Sequence, residues 1–371
     1  MLHGWRGLGA FWLAVLLLLG GGAAWLQMLG PPAPPLHVEA ARARPQVAAA
    51  AVAATASTAA SAATASTAAP APIPPPLVTE RRETSSADRP GRDTPGPVAD
   101  PDPALLEPTP GAPSDMLPRI AEDGRRPMQA YAAGFDRSSR RPRIGILLAG
   151  IGLNQEDSAK AIADLPGGIT LAVSPYATRL SQLLSSARLG GHEYLLSVPM
   201  EPQGFPANDP GPRALMTGLS PAENLDRLRW LLARVGGYVG VTNGLGSLRG
   251  ERLAGVAAQM DPILAELARR GLLYVDARPA GAGGVAVEPL VWSRDVDLLV
   301  DQPIDDIDVK LAQLEQIAHD RGDALGLAGA PSPVVVRHLA AWANGLLDRG
   351  LALAPVSALV RPPSDVSVSA Q

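Results

Sequence analysis

The amino-acid sequence predicts an α/β domain, a distorted (β/α) barrel, on two observations. From Arg143 onward, short β-rich runs alternate with helical patterns, the signature of βα units around a parallel sheet or barrel. Upstream of Pro142 the alternation is absent and the composition changes. More than half of the 38 prolines fall between Pro31 and Pro142, and no Phe, Tyr or Trp occurs from Gly30 to Ala130. Such a stretch buries too little apolar surface to offset the entropy of ordering it. The expectation is one folded domain over residues 143–364, followed by a disordered tail at 365–371.

The elements follow in order. Arg143–Ala149 (RIGILLA) reads as the first strand, and Asn154 caps a helix over Gln155–Leu165 with Asp157 in its first turn. A second strand, Ile169–Val173, leads to a helix from about Thr178 to Leu189, stopped by Gly190-Gly191. Tyr194–Val198 is the third strand. Ser220-Pro221-Ala222-Glu223 is a capping box with proline at the first helical position, and its helix carries Leu225, Leu228, Leu231 and Leu232 on one face. Tyr238–Thr242 is the fourth strand. Asp261-Pro262 opens the next helix, Gly271 ends it, and Leu272–Asp276 is the fifth strand. Strands near Leu298–Val300 and Leu325–Ala328 each pair with a helix (about Asp306–Asp320 and Pro333–Arg349), and a last strand lies near Leu351–Pro355. Seven or eight such units point to a barrel, where chemistry gathers at the C-terminal ends of the strands.

Ahead of the domain, Gly7–Leu29 is an uncharged apolar run. As a helix it would span roughly 34 Å, enough to cross a hydrocarbon core of about 30 Å. Arg6 and the amino terminus precede it, which favours residues 1–6 in the cytoplasm and a domain in the periplasm. A cleaved signal peptide is the competing reading, since Gly22-Ala23-Ala24 offers small residues. The apolar run continues through Trp25 and Leu26, which favours an uncleaved inner-membrane anchor. Residues 30–142, rich in Ala, Pro, Ser and Thr, then read as a disordered linker.

The net charge of −4 is spread along the chain without a basic stripe, so no nucleic-acid partner is expected. The chain has no cysteine, which excludes disulfides, thiolate metal sites and cysteine nucleophiles.

The strand ends carry a resemblance. The third unit reads Gly191-His192-Glu193-Tyr194-Leu195-Leu196-Ser197-Val198-Pro199-Met200-Glu201-Pro202, and the fourth Gly240-Val241-Thr242-Asn243-Gly244-Leu245-Gly246-Ser247. The first strand ends in Ala149-Gly150-Ile151-Gly152, the fifth in Tyr274-Val275-Asp276-Ala277, and Gly329-Ala330-Pro331 follows the penultimate strand. In order and spacing this resembles the divergent polysaccharide deacetylase family, a branch of the NodB-like barrels, over Arg143 to about Pro363. The resemblance implies that fold and a link to cell-wall carbohydrate metabolism. It also implies metal and acid/base groups at an Asp pair and at histidines. At those positions this chain has Ala149 and Gly150, Ser197, Gly244 and Ala330.

The histidine count agrees with that departure. His3 and His37 lie outside the domain, His319 and His338 fall on predicted outer helices, and His192 opens a strand at the far end. A catalytic zinc site wants about three protein ligands rich in His, so no metal or other cofactor is expected. The carboxylates left near strand ends are Glu201, Asp276 and Asp301. Asp276 and Glu201 are the candidates for any residual catalysis, and a suitably spaced pair could hydrolyse a glycosidic bond. Asp276 could equally hold Arg278. Ser197, Asn243, Ser247 and Asp276 are the candidate sugar contacts, and Asn243 and Ser247 could instead satisfy turn backbone. The expected function is a metal-free pseudoenzyme that binds or scaffolds cell-wall polysaccharide or peptidoglycan. An active hydrolase with a rebuilt site and a module for an envelope protein partner are the alternatives.

Overall fold

The structure, a computed structural model, describes residues 94–109, 112–279 and 290–363. The chain divides into two compact units, Met1–Leu77 and Val78–Gln371, and every described residue belongs to the second. The expected anchor at 7–29, the linker before residue 94 and the tail at 365–371 lie outside the described residues. Among the described residues no helix is long and apolar enough to cross a membrane.

The predicted alternation is present. An upstream hairpin, β1 (Leu106–Thr109) and β2 (Ala112–Pro118), and the short helix α1 (Pro127–Ala130) precede it. Then come β3 (Arg143–Ile151), α2 (Gln155–Asp164), β4 (Thr170–Val173), α3 (Leu180–Leu189), β5 (Tyr194–Ser197) and α4 (Pro221–Leu232). β6 (Gly240–Thr242), α5 (Glu251–Ala254), α6 (Ala257–Arg269) and β7 (Leu273–Pro279) follow. The last elements are β8 (Ser293–Val296), β9 (Leu298–Leu299), α7 (Ile307–Arg321), β10 (Asp323–Ala328), α8 (Pro333–Asn344) and β11 (Ala352–Leu353).

The strands run parallel in the order β8-β7-β6-β5-β4-β3-β10-β9. β8 and β9 are two halves of one segment: the first pairs with β7 and the second with β10. That sharing brings the two ends of the sheet together into a nearly closed barrel. β11 pairs with the start of β3, beside Arg143 and Ile144.

Alternation along each strand sorts two cores. Leu147 and Ala149, Ala172, Leu195, Val275 and Ala277, and Leu325 and Leu327 fill the barrel interior. Their neighbours Ile146 and Leu148, Leu171 and Val173, Leu196, Val241 and Ala324 pack outward against the helices. The helix starts follow their caps. Asn154 Oδ1 accepts from the Glu156 and Asp157 N–H groups, and Ser220 with Glu223 closes the capping box. One start differs from expectation: α6 begins at Ala257, with Pro262 inside it rather than opening it. Pro262 is the sixth residue of α6, past the first turn, where it removes an N–H that would otherwise donate to the Ala258 carbonyl.

The domain boundary also differs from expectation. Residues 94–142 are not all linker, because part of them closes the bottom of the barrel. Leu105, Met128, Tyr131 and Phe135 join Leu359 and Val356 in the interior core, and Leu117 joins the outer one. The hairpin is pinned by buried Arg270, which donates to Glu107 and to the Pro118 carbonyl. Arg270 also pairs with Glu266. Burial works against the charged form of Glu266, but hydrogen bonds from Arg269 and Arg270 outweigh it and bring the carboxyl down to about 2.

At the centre of this floor lies Glu193, fully buried. Its carboxylate accepts from Ala133 N (2.9 Å), Thr170 Oγ1 (3.1 Å), Ser357 N (2.9 Å) and Ser357 Oγ (2.6 Å). Burial pushes this carboxyl up, and the four donors pull against that shift. His192 beside it is buried too, with Nδ1 against the Ile169 carbonyl at 2.8 Å, and burial lowers its pKa. It is a packing residue at the end of the barrel opposite the strand C-termini.

Burying a large aliphatic or aromatic side chain contributes about 1.5–3 kcal/mol. Five such residues upstream of Arg143 (Leu105, Leu117, Met128, Tyr131, Phe135) therefore contribute on the order of 10 kcal/mol, comparable to the whole stability of a domain. A chain starting at Arg143 is expected to show no cooperative thermal transition, whereas one starting at Thr94 unfolds cooperatively. Equal transitions in the two would show that the upstream segment is dispensable.

Candidate functional site

The strand C-termini open at one end of the barrel, and there the small residues noted in the sequence take up separate environments. Ala149 and Ser197 are fully buried. Ser197 Oγ has no hydrogen-bond partner. Gly244 packs on the neighbouring strand: a Cβ built on it would stand 3.1 Å from Ala277 Cβ. Gly150 adopts φ +76°, and a Cβ there would meet the Gly329 carbonyl oxygen at 3.1 Å. An aspartate would therefore be strained in this backbone as well as crowded. The residues present do not fit a catalytic metal. Among the described residues no group of three or more His, Cys, Asp or Glu is placed to hold one.

A pocket of about 360 Å³ lies over Gly150 and Ala330. It is framed by the end of β3 and the start of α2 (Gly150, Leu153, Asn154, Asp157) and by the loops after β6 (Gly246, Ser247), β9 (Asp301, Gln302) and β10 (Gly329 to Ser332). Its inner wall is backbone. The β6 and β10 loops approach so closely that a Cβ on Gly329 would stand 3.1 Å from the Gly246 carbonyl oxygen. Asp301 joins these loops, with Oδ2 accepting from Gly329 N at 2.7 Å. Its Oδ1 is shielded and has no partner. Burial pushes the Asp301 carboxyl up, and the Gly329 N–H works against that shift.

The predicted site residues do not all meet here. Ser247 lines the pocket and is exposed. Asn243 and Asp276 form a separate, almost wholly buried network. Asn243 donates to the Arg249 carbonyl and to Asp276 Oδ1, and its own Oδ1 accepts from Ala277 N at 2.7 Å. Asp276 holds Arg278 through both carboxylate oxygens, at 2.6–3.0 Å. This pairing keeps the guanidinium of Arg278 more firmly protonated than usual. Glu201 is also engaged, by Thr217 N and Oγ1 at 2.6 and 2.7 Å and by Arg252 at 2.9 Å. Glu201 and Asp276 thus fasten loops, and neither lines the pocket. The pocket's carboxylates are Asp157, read in the sequence only as a helix-start residue, and Asp301, read only as one strand-end carboxylate among three.

Restoring an acid at the emptied strand end tests this geometry. Gly150→Asp is expected to cost about 1–2 kcal/mol through the left-handed backbone alone. That should lower the thermal midpoint by roughly 2–6 °C. An unchanged or raised midpoint in thermal unfolding would contradict the constraint assigned to Gly150.

Comparison with known proteins agrees with the sequence motifs and the barrel. The family model described as divergent polysaccharide deacetylase matches residues 146–360. An uncharacterized protein of Haemophilus influenzae is 27% identical over 214 residues, 55% of this chain and 72% of the relative. The uncharacterized protein YibQ of Escherichia coli is 26% identical over 225 residues, 58% of this chain and 67% of the relative. The crystal structure of the uncharacterized protein ATU2773 from Agrobacterium tumefaciens C58 superposes with a TM-score of 0.61 at 34% identity. That likeness covers 66% of this chain and 99% of the other. The chain belongs to the divergent polysaccharide deacetylase family.

Proposed function

We propose that this protein is a glycan-binding or scaffolding module of the cell envelope, built on the deacetylase-family barrel and working without metal-dependent hydrolysis. The observation that carries the proposal is the pocket over Gly150 and Ala330. It occupies the loops where the family's chemistry is expected, yet it is walled by backbone, amides, hydroxyls and two carboxylates. Its size falls in the lower part of the range for small-ligand sites. Asn154, Ser247, Gln302 and Ser332 suit a polyhydroxylated ring, and exposed Leu153 offers an apolar surface to its C–H face. The uncharged segment at 7–29 and the long proline-rich stretch after it support a tethered position in the periplasm, within reach of the wall.

A second reading has its own observation. Ile304 and Val334, large and exposed, flank the lining residues Gln302 and Ser332. An apolar rim of this kind favours an envelope protein as partner at the same end of the barrel.

Retention of the whole protein on insoluble peptidoglycan separates the two. The glycan reading predicts retention that Ala330→Trp, which fills the pocket, weakens roughly tenfold. Absence of retention would overturn it and leave the protein-partner reading.

A further inference from the structure

One flank of the barrel carries cations that the fold does not neutralise. α4 buries Leu228, Leu231 and Leu232, while Arg227 and Trp230, one turn apart, stand half-buried on its side. The long loop after β5 lies along that side. Arg227 donates to the Ala214 carbonyl at 2.6 Å, and the guanidinium of exposed Arg213 rests 5.6 Å from the centre of the Trp230 ring. Arg234, just past the end of α4, lies over the same ring at 4.7 Å and pairs with Asp115. Arg213 and Arg227 pair with no carboxylate among the described residues. The carboxylates close by in sequence are committed elsewhere: Glu223 to Ser220, Asp226 to Arg229 and Asp209 to Gly211 N. None of these arginines lines the pocket at the barrel mouth.

Arg213 is also held under strain. Its backbone is left-handed at φ +65°, one of two such non-glycine residues among the described residues. That conformation costs about 1–2 kcal/mol in a residue with a Cβ. The loop is fastened around it: Tyr176 donates to the Pro212 carbonyl at 2.5 Å, and Leu215 N donates to the Pro199 carbonyl at 2.9 Å. Strain of this kind at an exposed arginine points to a role for the side chain itself. Stacking on the indole leaves the guanidinium edge free for a planar acceptor, the geometry that suits a carboxylate. On the reading of this protein as a wall-glycan binder, we infer that this flank is a second contact surface, where Arg213 and Arg227 hold carboxylate groups of the wall polymer. Lipid phosphates offer similar acceptors, but a membrane-bound helix face sets large apolar side chains beside its cations. The exposed residues of α4 are Pro221, Ala222, Glu223 and Asp226.

The test compares retention of the whole protein on native peptidoglycan and on peptidoglycan whose carboxyl groups have been converted to methylamides. Retention on the amidated material should be roughly tenfold weaker, with a difference that shrinks as salt rises. Arg213→Gly relieves the left-handed backbone, so the thermal midpoint should stay within about 3 °C while retention on native material falls severalfold. Adding Arg227→Gln should bring retention down to the level of the amidated material. Equal retention on the two materials, still weakened by Ala330→Trp, overturns this surface and leaves the glycan reading standing. Absence of retention on both overturns the glycan reading and the surface with it. A thermal midpoint lowered by more than about 5 °C in Arg213→Gly would make the arginine a packing residue and overturn its assignment. Release from peptidoglycan by phosphatidylglycerol vesicles in preference to phosphatidylcholine vesicles, abolished in the double variant, would assign the flank to lipid headgroups instead and overturn the inference.

Discussion

A buried carboxylate governs this fold. Glu193 lies at the closed end of the barrel with four donors from three separate stretches of chain: Ala133 upstream of the first barrel strand, Thr170 on β4 and Ser357 after the last strand. A carboxyl group without solvent needs hydrogen-bond partners in place of its water. Burial pushes the Glu193 carboxyl up, and each of the three stretches supplies part of what opposes that shift. That requirement explains why the domain starts well before the first βα unit. It also explains why both described ends of the domain lie at the floor: Val98 bonds the Arg188 carbonyl, and Arg361 bonds Ser293 at the start of β8.

The opposite end is built on other terms. The small residues at the strand ends are held in place: Gly150 by its left-handed backbone, Gly244 by contact with Ala277, and Ala149 and Ser197 by burial. Polar side chains around them are largely spent on each other. The Asn243–Asp276–Arg278 network locks β6 to β7, and Glu201 ties the long loop after β5 to the start of α5. The division between a stabilising floor and a variable mouth is the one expected of parallel barrels. Here the mouth keeps loop positions and acceptors, and among the described residues no three His, Cys, Asp or Glu side chains are grouped to hold a metal.

Much of this was legible in the sequence. The barrel strands from β3 on, β8 excepted, are visible as apolar runs, and Asn154 and Ser220 mark two of the helix starts through cap chemistry. The substituted strand ends needed only motif order. Three features were hidden for physical reasons. Residues 94–142 averaged out as linker because their prolines and lack of early aromatics masked a few well-placed apolar side chains, Leu105 and Leu117 among them. Tyr131 and Phe135 stand just past the aromatic-free stretch, outside any strand or helix pattern that would mark them as core. β8 escaped notice because SRDV has no apolar alternation; its buried Arg294 is sustained by Asp297 and Asp323 instead. The pocket was the third, since it depends on four stretches distant in sequence, and nothing local distinguishes Asp301 and Asp157, which line it, from Glu201 and Asp276, which do not.

The central proposal is that this family member keeps the barrel and works without a bound metal. Elemental analysis of the purified whole protein, after incubation with Zn²⁺ and removal of excess by gel filtration, tests that most directly. The account predicts far less than one metal ion per chain. A stoichiometric ion that survives filtration, and that is lost on Asp301→Asn or Asp276→Asn, would contradict it and return the mouth of the barrel to metal-dependent chemistry.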